Sequence, residues 1–106
     1  MQRAKSKVES YIGFAMRAGK YRCGTHAIST LKSVELLILC STAENNSQVM
    51  ARKLARKFKV KIILSKTITV EEISGKEHCK LMAILDKSLA QAILANQNED
   101  FTELKE

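Results

Sequence analysis

Leu36-Leu-Ile-Leu-Cys40 is a run of five apolar residues, of strand length, with the polar loop Ser41-Thr-Ala-Glu-Asn-Asn46 directly behind it. An unbroken apolar run bounded in this way predicts a strand covered on both faces. Val60-Lys-Ile-Ile-Leu64 and Leu81-Met-Ala-Ile-Leu85 repeat the pattern. Between and around these strands the apolar spacing changes to that of helices. Val8, Tyr11, Ile12 and Ala15 form one stripe from about Arg3 to Ala18, and Gly19 follows where a left-handed cap residue belongs. Gly13 inside this helix costs about 1 kcal/mol against Ala.

A short strand is expected across Lys20–Gly24. Thr25 is then the expected N-cap of a second helix carrying Ile28 and Leu31. Ser47 is the expected cap of a third helix over Gln48–Phe58, with Met50, Leu54 and Phe58 spaced by four. Thr69-Val-Glu-Glu72 has the capping-box pattern of a short helix ended by Gly75. Asp86 is placed to cap a last helix carrying Leu89, Ala92 and Ile93. Strands alternating with helices, each strand buried on both faces, predict an α/β chain folded as an α/β/α sandwich. Residues 1–95 form a single domain in this reading, and 96–106 a polar, acidic tail.

The 106 residues carry 18 Lys+Arg against 11 Asp+Glu, a net charge of +7. The tail holds Glu99, Asp100, Glu103 and Glu106 against Lys105, a net −3, so the body carries +10. Such an excess points to polyanionic partners. With no Trp and 5% aromatic residues, a platform of several stacked aromatics is not expected. Cys23, Cys40 and Cys79 lie far apart without a Cys-x-x-Cys pair, which argues for reduced thiols in a cytoplasmic protein rather than a zinc ribbon or disulfide framework. The basic start, Met1 to Lys7, is followed by a stretch broken by polar groups, which reads as neither signal peptide nor membrane span.

Two basic groups stand out. Arg52, Lys53, Arg56, Lys57, Lys59 and Lys61 read as the solvated face of the third helix. Arg17, Lys20 and Arg22 flank Gly24 and the start of the second helix, where backbone N–H groups attract anions. No phosphate-loop or dinucleotide pattern occurs, and nothing forms a catalytic triad. Cys23 and His26 are close in sequence without a known ligand spacing, so no metal and no cofactor is expected.

Ile12-Gly-Phe-Ala-Met-Arg-Ala-Gly-Lys20, followed by Gly24, resembles the opening of the ribosomal protein L-seven-Ae superfamily, particularly its small bacterial YlxQ-like branch. The strand leading to Ser41-Thr-Ala-Glu-Asn-Asn-Ser47 is similar to that branch's next motif. Gly75-Lys-Glu77, with Ala83-Ile-Leu-Asp86 after it, is similar to its close. The resemblance covers about residues 4–95. It implies a three-layer α/β/α sandwich with a four-stranded mixed sheet, and recognition of kink-turn RNA without catalysis. It also implies an RNA site at the start of the second helix and the loop before the last strand. On this chain those places are Gly24, Thr25 and His26, then Ile73, Gly75, Lys76 and His78. Lys20, Arg17 and Arg22 stand beside the first group to take phosphates. His26, Ala27 and Thr30 occupy the places where the family has Asn, Glu and Lys. The expected partner is structured RNA, in a ribosomal setting, for a monomer with no membrane contact. A protein–protein module on the same fold is the alternative.

Overall fold

The computed structural model describes residues 7–66 and 79–104. In chain order its elements are α1 (Lys7–Arg17), β1 (Tyr21–Cys23), α2 (Thr25–Ser29), β2 (Leu36–Cys40), α3 (Asn45–Phe58), β3 (Ile62–Ser65), β4 (Leu81–Ile84), α4 (Lys87–Ala95) and β5 (Phe101–Leu104). The capping-box segment Thr69–Glu72 and its Gly75 lie outside the described residues.

One mixed sheet has the strand order β1-β4-β2-β3-β5. β2 runs parallel to β3, with Leu37 opposite Ile62 and Cys40 opposite Ser65. β4 pairs antiparallel with β2 and with β1. The central strand shows why a run of unbroken apolar residues was needed. Leu36, Ile38 and Cys40 face a core shared with Val8, Ile12 and Ala15 of α1 and Ala90 and Ile93 of α4. Leu37 and Leu39 face the opposite core, with Ile28 of α2 and Ala51, Leu54 and Ala55 of α3. All five residues of β2 are buried. Helices on both sides of the sheet make the three layers expected for this sequence.

The sheet has five strands, not four. The fifth comes from the stretch taken for a polar tail, so the folded domain continues to Leu104. β5 pairs antiparallel with β3, Ser65 opposite Phe101 and Ile62 opposite Leu104. Its polar neighbours shape the turn that leads into it. The Asn98 side-chain oxygen accepts from the backbone N–H of Asp100 and Phe101 at 2.8 and 3.0 Å, and Gln97 Oε1 accepts from Glu103 N–H at 2.8 Å. The Phe101 ring is wholly buried against the α1/α4 side, and Lys61 Nζ stands 3.6 Å from Glu103 across the last pair of strands.

Of the helix starts given caps from sequence, three lie among the described residues, and one of these assignments matches. Asp86 accepts from the Leu89 N–H at 2.9 Å, as expected. Thr25 is instead the first residue of α2, and Gly24 is its N-cap, with φ 94° and ψ 141°. α3 begins two residues before Ser47, behind Glu44, and Gln48 Nε2 reaches back to the Ala43 carbonyl at 3.0 Å. Neither Gly24 nor Glu44 makes a side-chain cap hydrogen bond.

Candidate nucleic-acid interface

Gly24 ends β1 and starts α2 in a single step. Its N–H donates to the Leu81 carbonyl at 2.9 Å, which pins the end of β1 to the start of β4. Its own carbonyl accepts from Ile28 N–H at 3.1 Å, the first bond of the helix. Doing both demands the positive φ, which residues with a Cβ rarely adopt. The second helix on this side arises similarly. β2 ends at Cys40, the Ala43 N–H donates back to the Cys40 carbonyl at 3.0 Å, and α3 begins at Asn45.

These two turns lie at the same end of the sheet. Cys40 N–H donates to the Lys80 carbonyl at 2.8 Å, and Lys80 Nζ donates to Thr42 Oγ1 at 3.1 Å. Cys23, Gly24, Thr25, His26, Ala27, Ser47, Lys80 and Leu81 line an open cleft of about 450 Å³. At the far end of α2, Lys57 Nζ donates to the Ser29 carbonyl. Ser47 therefore accompanies the beginning of α2 and Lys57 its end, and the two helices run in the same general direction. Thr25, His26 and Ala27 from the start of α2 and Ser47 from the first turn of α3 line the cleft. α3, with 14 residues, carries the fuller dipole. The arrangement suits an anionic group flanked by hydrogen-bonding edges.

Of the residues singled out in the sequence, Gly24, Thr25 and His26 line this cleft. Arg17, Lys20 and Arg22 do not. Arg22 is exposed on β1, an edge strand, opposite Ala83, and its Nη1 donates to the Tyr21 carbonyl at 3.0 Å. Lys20 precedes the other end of β1, where its carbonyl accepts from Leu85 N–H at 2.9 Å. Arg17 closes α1 and lies over the Phe14 ring. Ile73, Gly75, Lys76 and His78 lie outside the described residues. The chain leaves β3 at Lys66 and is described again from Cys79, and Ser41 Oγ donates to the Lys66 carbonyl at 3.0 Å at this same end of the sheet.

Lys80 and Ser47 are the lining residues with polar side chains that sequence reasoning did not place at the site, and Cys23, Ala27 and Leu81 complete the wall. Ser47 was assigned a capping role, and its place in the helix start is the residual signal. Lys80 reaches Thr42 only because β4 pairs with β2, and no local pattern announces that. Cys23 and His26 share the cleft, and among the described residues no group of three His, Cys, Asp or Glu is gathered that could hold a metal ion. A second concavity, lined by Arg56, Lys61, Glu103 and others, sits where α3 ends beside β5. Among the described residues no helix is long and apolar enough to cross a membrane.

No protein-family profile matches this chain, and no curated protein does. In three dimensions it is similar to a solved structure described as a protein with unknown function from Bacillus halodurans. The two superpose with a TM-score of 0.70 over 86% of this chain and 96% of the other, at 18% sequence identity. At that identity the likeness shows a shared α/β fold.

Proposed function

We propose that this protein is a cytoplasmic, non-enzymatic RNA-binding protein that recognises structured RNA of the kink-turn type, in a ribosomal setting. The observation that carries the reading is the convergence of two helix starts and Lys80 on one open cleft, in a chain with a large basic excess. Backbone N–H groups and the short side chains of Thr25 and Ser47 suit base edges and sugar hydroxyls, and Lys80 suits a phosphate. Gly24 leaves the rim free of a side chain where the RNA backbone would approach. Arg17-Ala-Gly-Lys20 and Gly24 resemble the opening of a kink-turn-binding superfamily, and of these Gly24 lines the cleft. Three to five phosphate contacts would give a log–log dependence of affinity on salt of roughly −2 to −4. A kink-turn RNA titrated between low and moderate salt tests this, and a flat profile overturns it.

A second reading is favoured by Val49 and Met50, apolar residues 42% and 37% exposed on the first half of α3. They suit a protein partner on the same fold. Such a partner would bind almost independently of salt and would survive neutralisation of Lys80.

A further inference from the structure

Away from the cleft, Phe14 is 50% exposed on the outer face of α1, one of only five aromatic residues in the chain. The Arg17 guanidinium lies over its ring, 4.9 Å from the centroid. Position 13 is glycine, and a Cβ there would touch Arg17 Nη1 at 3.5 Å, so the guanidinium lies against the helix rather than reaching into solvent. Among the described residues neither Arg17 nor Lys20 is held in an ion pair. The result is a small surface made of one ring and one planar cation, with Lys20 in the turn that follows.

This surface has the wrong size for a second protein and the right size for a base. A half-exposed phenylalanine offers roughly 100 Å² of apolar area, against about 800 Å² per partner in a stable protein interface. Nucleobases stack on aromatic and guanidinium planes, and adjacent cations take the phosphates beside them. Along the chain, β1 connects the end of α1 to the cleft. Lys20 and Gly24 bracket β1, about 13 Å apart at the rise of an extended strand, and exposed Arg22 lies between them on the sheet edge.

We propose that Phe14 and Arg17 form a stacking platform for an unpaired nucleotide that flanks the structured RNA, reached along the β1 edge past Arg22 and Lys20. The proposal rests on the RNA reading of the cleft, and extends it to a preferred substrate: a folded element with a single-stranded extension, rather than the folded element alone.

The chain has no tryptophan, so Phe14→Trp supplies a single reporter. Three probes are used: a labelled kink-turn RNA, the same RNA with four unpaired uridines at each end, and a twelve-nucleotide oligouridine. Anisotropy of the label reports binding anywhere, and tryptophan emission reports stacking at position 14. The extended RNA is expected to bind the wild type about tenfold more tightly than the blunt one. Phe14→Ala is expected to remove that gain and leave the blunt RNA unaffected. The Phe14→Trp emission is expected to be quenched by the extended RNA and by oligouridine. Unchanged emission while anisotropy shows bound RNA overturns the platform, as does a full gain in Phe14→Ala. Failure of the blunt RNA to bind, with oligouridine still quenching, overturns the cleft reading and leaves the platform standing. No response from any probe overturns both.

Discussion

Lys57 Nζ donates to the backbone carbonyl of Ser29 at 2.9 Å, so a cation on α3 satisfies a carbonyl in the last turn of α2. The ammonium also stands 5.2 Å from the centre of its neighbour's ring, Phe58. The sequence reads the basic face of α3 as solvated, and Lys57 is exposed while making this bond. The bond ties the end of α2 to α3. Lys57→Ala is therefore expected to cost about 0.5 kcal/mol of stability, as an exposed charged hydrogen bond does. Kink-turn RNA affinity should stay within about twofold. Denaturant unfolding and binding isotherms measure the two effects separately, and a tenfold loss of affinity would move the RNA site onto the α3 face.

Gly24 and Lys80 should fail in different ways. A Cβ on Gly24 would meet no atom within 4 Å, so the protein has room for it, and the cost lies in the φ of 94°. Gly24→Ala is expected to lose about 1–3 kcal/mol of stability, the strain of such a backbone on an ordinary residue. Gly24→Val adds a branched side chain at the rim, and RNA affinity should fall more than tenfold in the fraction that circular dichroism shows folded. Lys80→Ala is expected to leave the helices intact and weaken RNA binding about tenfold or more, the loss of one charged contact. A Lys80 variant that binds as tightly as the wild type would remove the cleft's only described cation from the RNA site.

The central layers were legible because their chemistry is local. Leu36–Cys40 had to be buried on both faces, and only a middle strand meets that condition. β5 was not legible, since an edge strand needs just one buried residue, and Phe101 among Thr102 and Glu103 shows no alternation strong enough to separate strand from tail. Thr25 and Ser47 misled for a shared reason. Both residue types favour caps, but here the strand-to-helix turns place Gly24 and Glu44 at the boundary, leaving Thr25 and Ser47 to line the cleft. The cleft's other half depends on Lys80 reaching Thr42 across 38 positions of sequence, a relationship made by strand pairing alone.

The three thiols are expected to react in a set order. Cys40 and Cys79 are 1% and 3% exposed, and their sulfurs sit by Thr42 Oγ1 at 3.0 Å and the Leu81 carbonyl at 3.7 Å. Cys23 is half-buried at the cleft wall. Brief alkylation followed by peptide mapping should label Cys23 first, since a thiol must be reached by the reagent to react. Bound RNA should slow that labelling, because it would cover the same wall. Faster labelling of Cys40 would require β2 to be exposed, against its place at the centre of the sheet.

Two backbone positions carry residues that the local conformation does not favour, and exchanging them should stabilise the protein. Gly13 sits inside α1, where its added Cβ would make only an ordinary 3.5 Å contact with Arg17. Lys59 closes α3 with φ 57° and ψ 48°, a left-handed conformation that a glycine adopts without penalty. Gly13→Ala should gain about 0.5–1 kcal/mol from helix propensity. Lys59→Gly should gain about 0.5 kcal/mol, the relief of left-handed strain less the extra freedom of glycine in the unfolded chain. The two sites pack on opposite faces of the sheet, so the double variant should show the sum. Thermal unfolding should register a rise in Tm of about 2–8 °C for Gly13→Ala and about 2–4 °C for Lys59→Gly. A fall in Tm for Gly13→Ala would mean that the space beside Arg17 is needed as it stands, and a fall for Lys59→Gly that the lysine side chain holds the end of α3 in place.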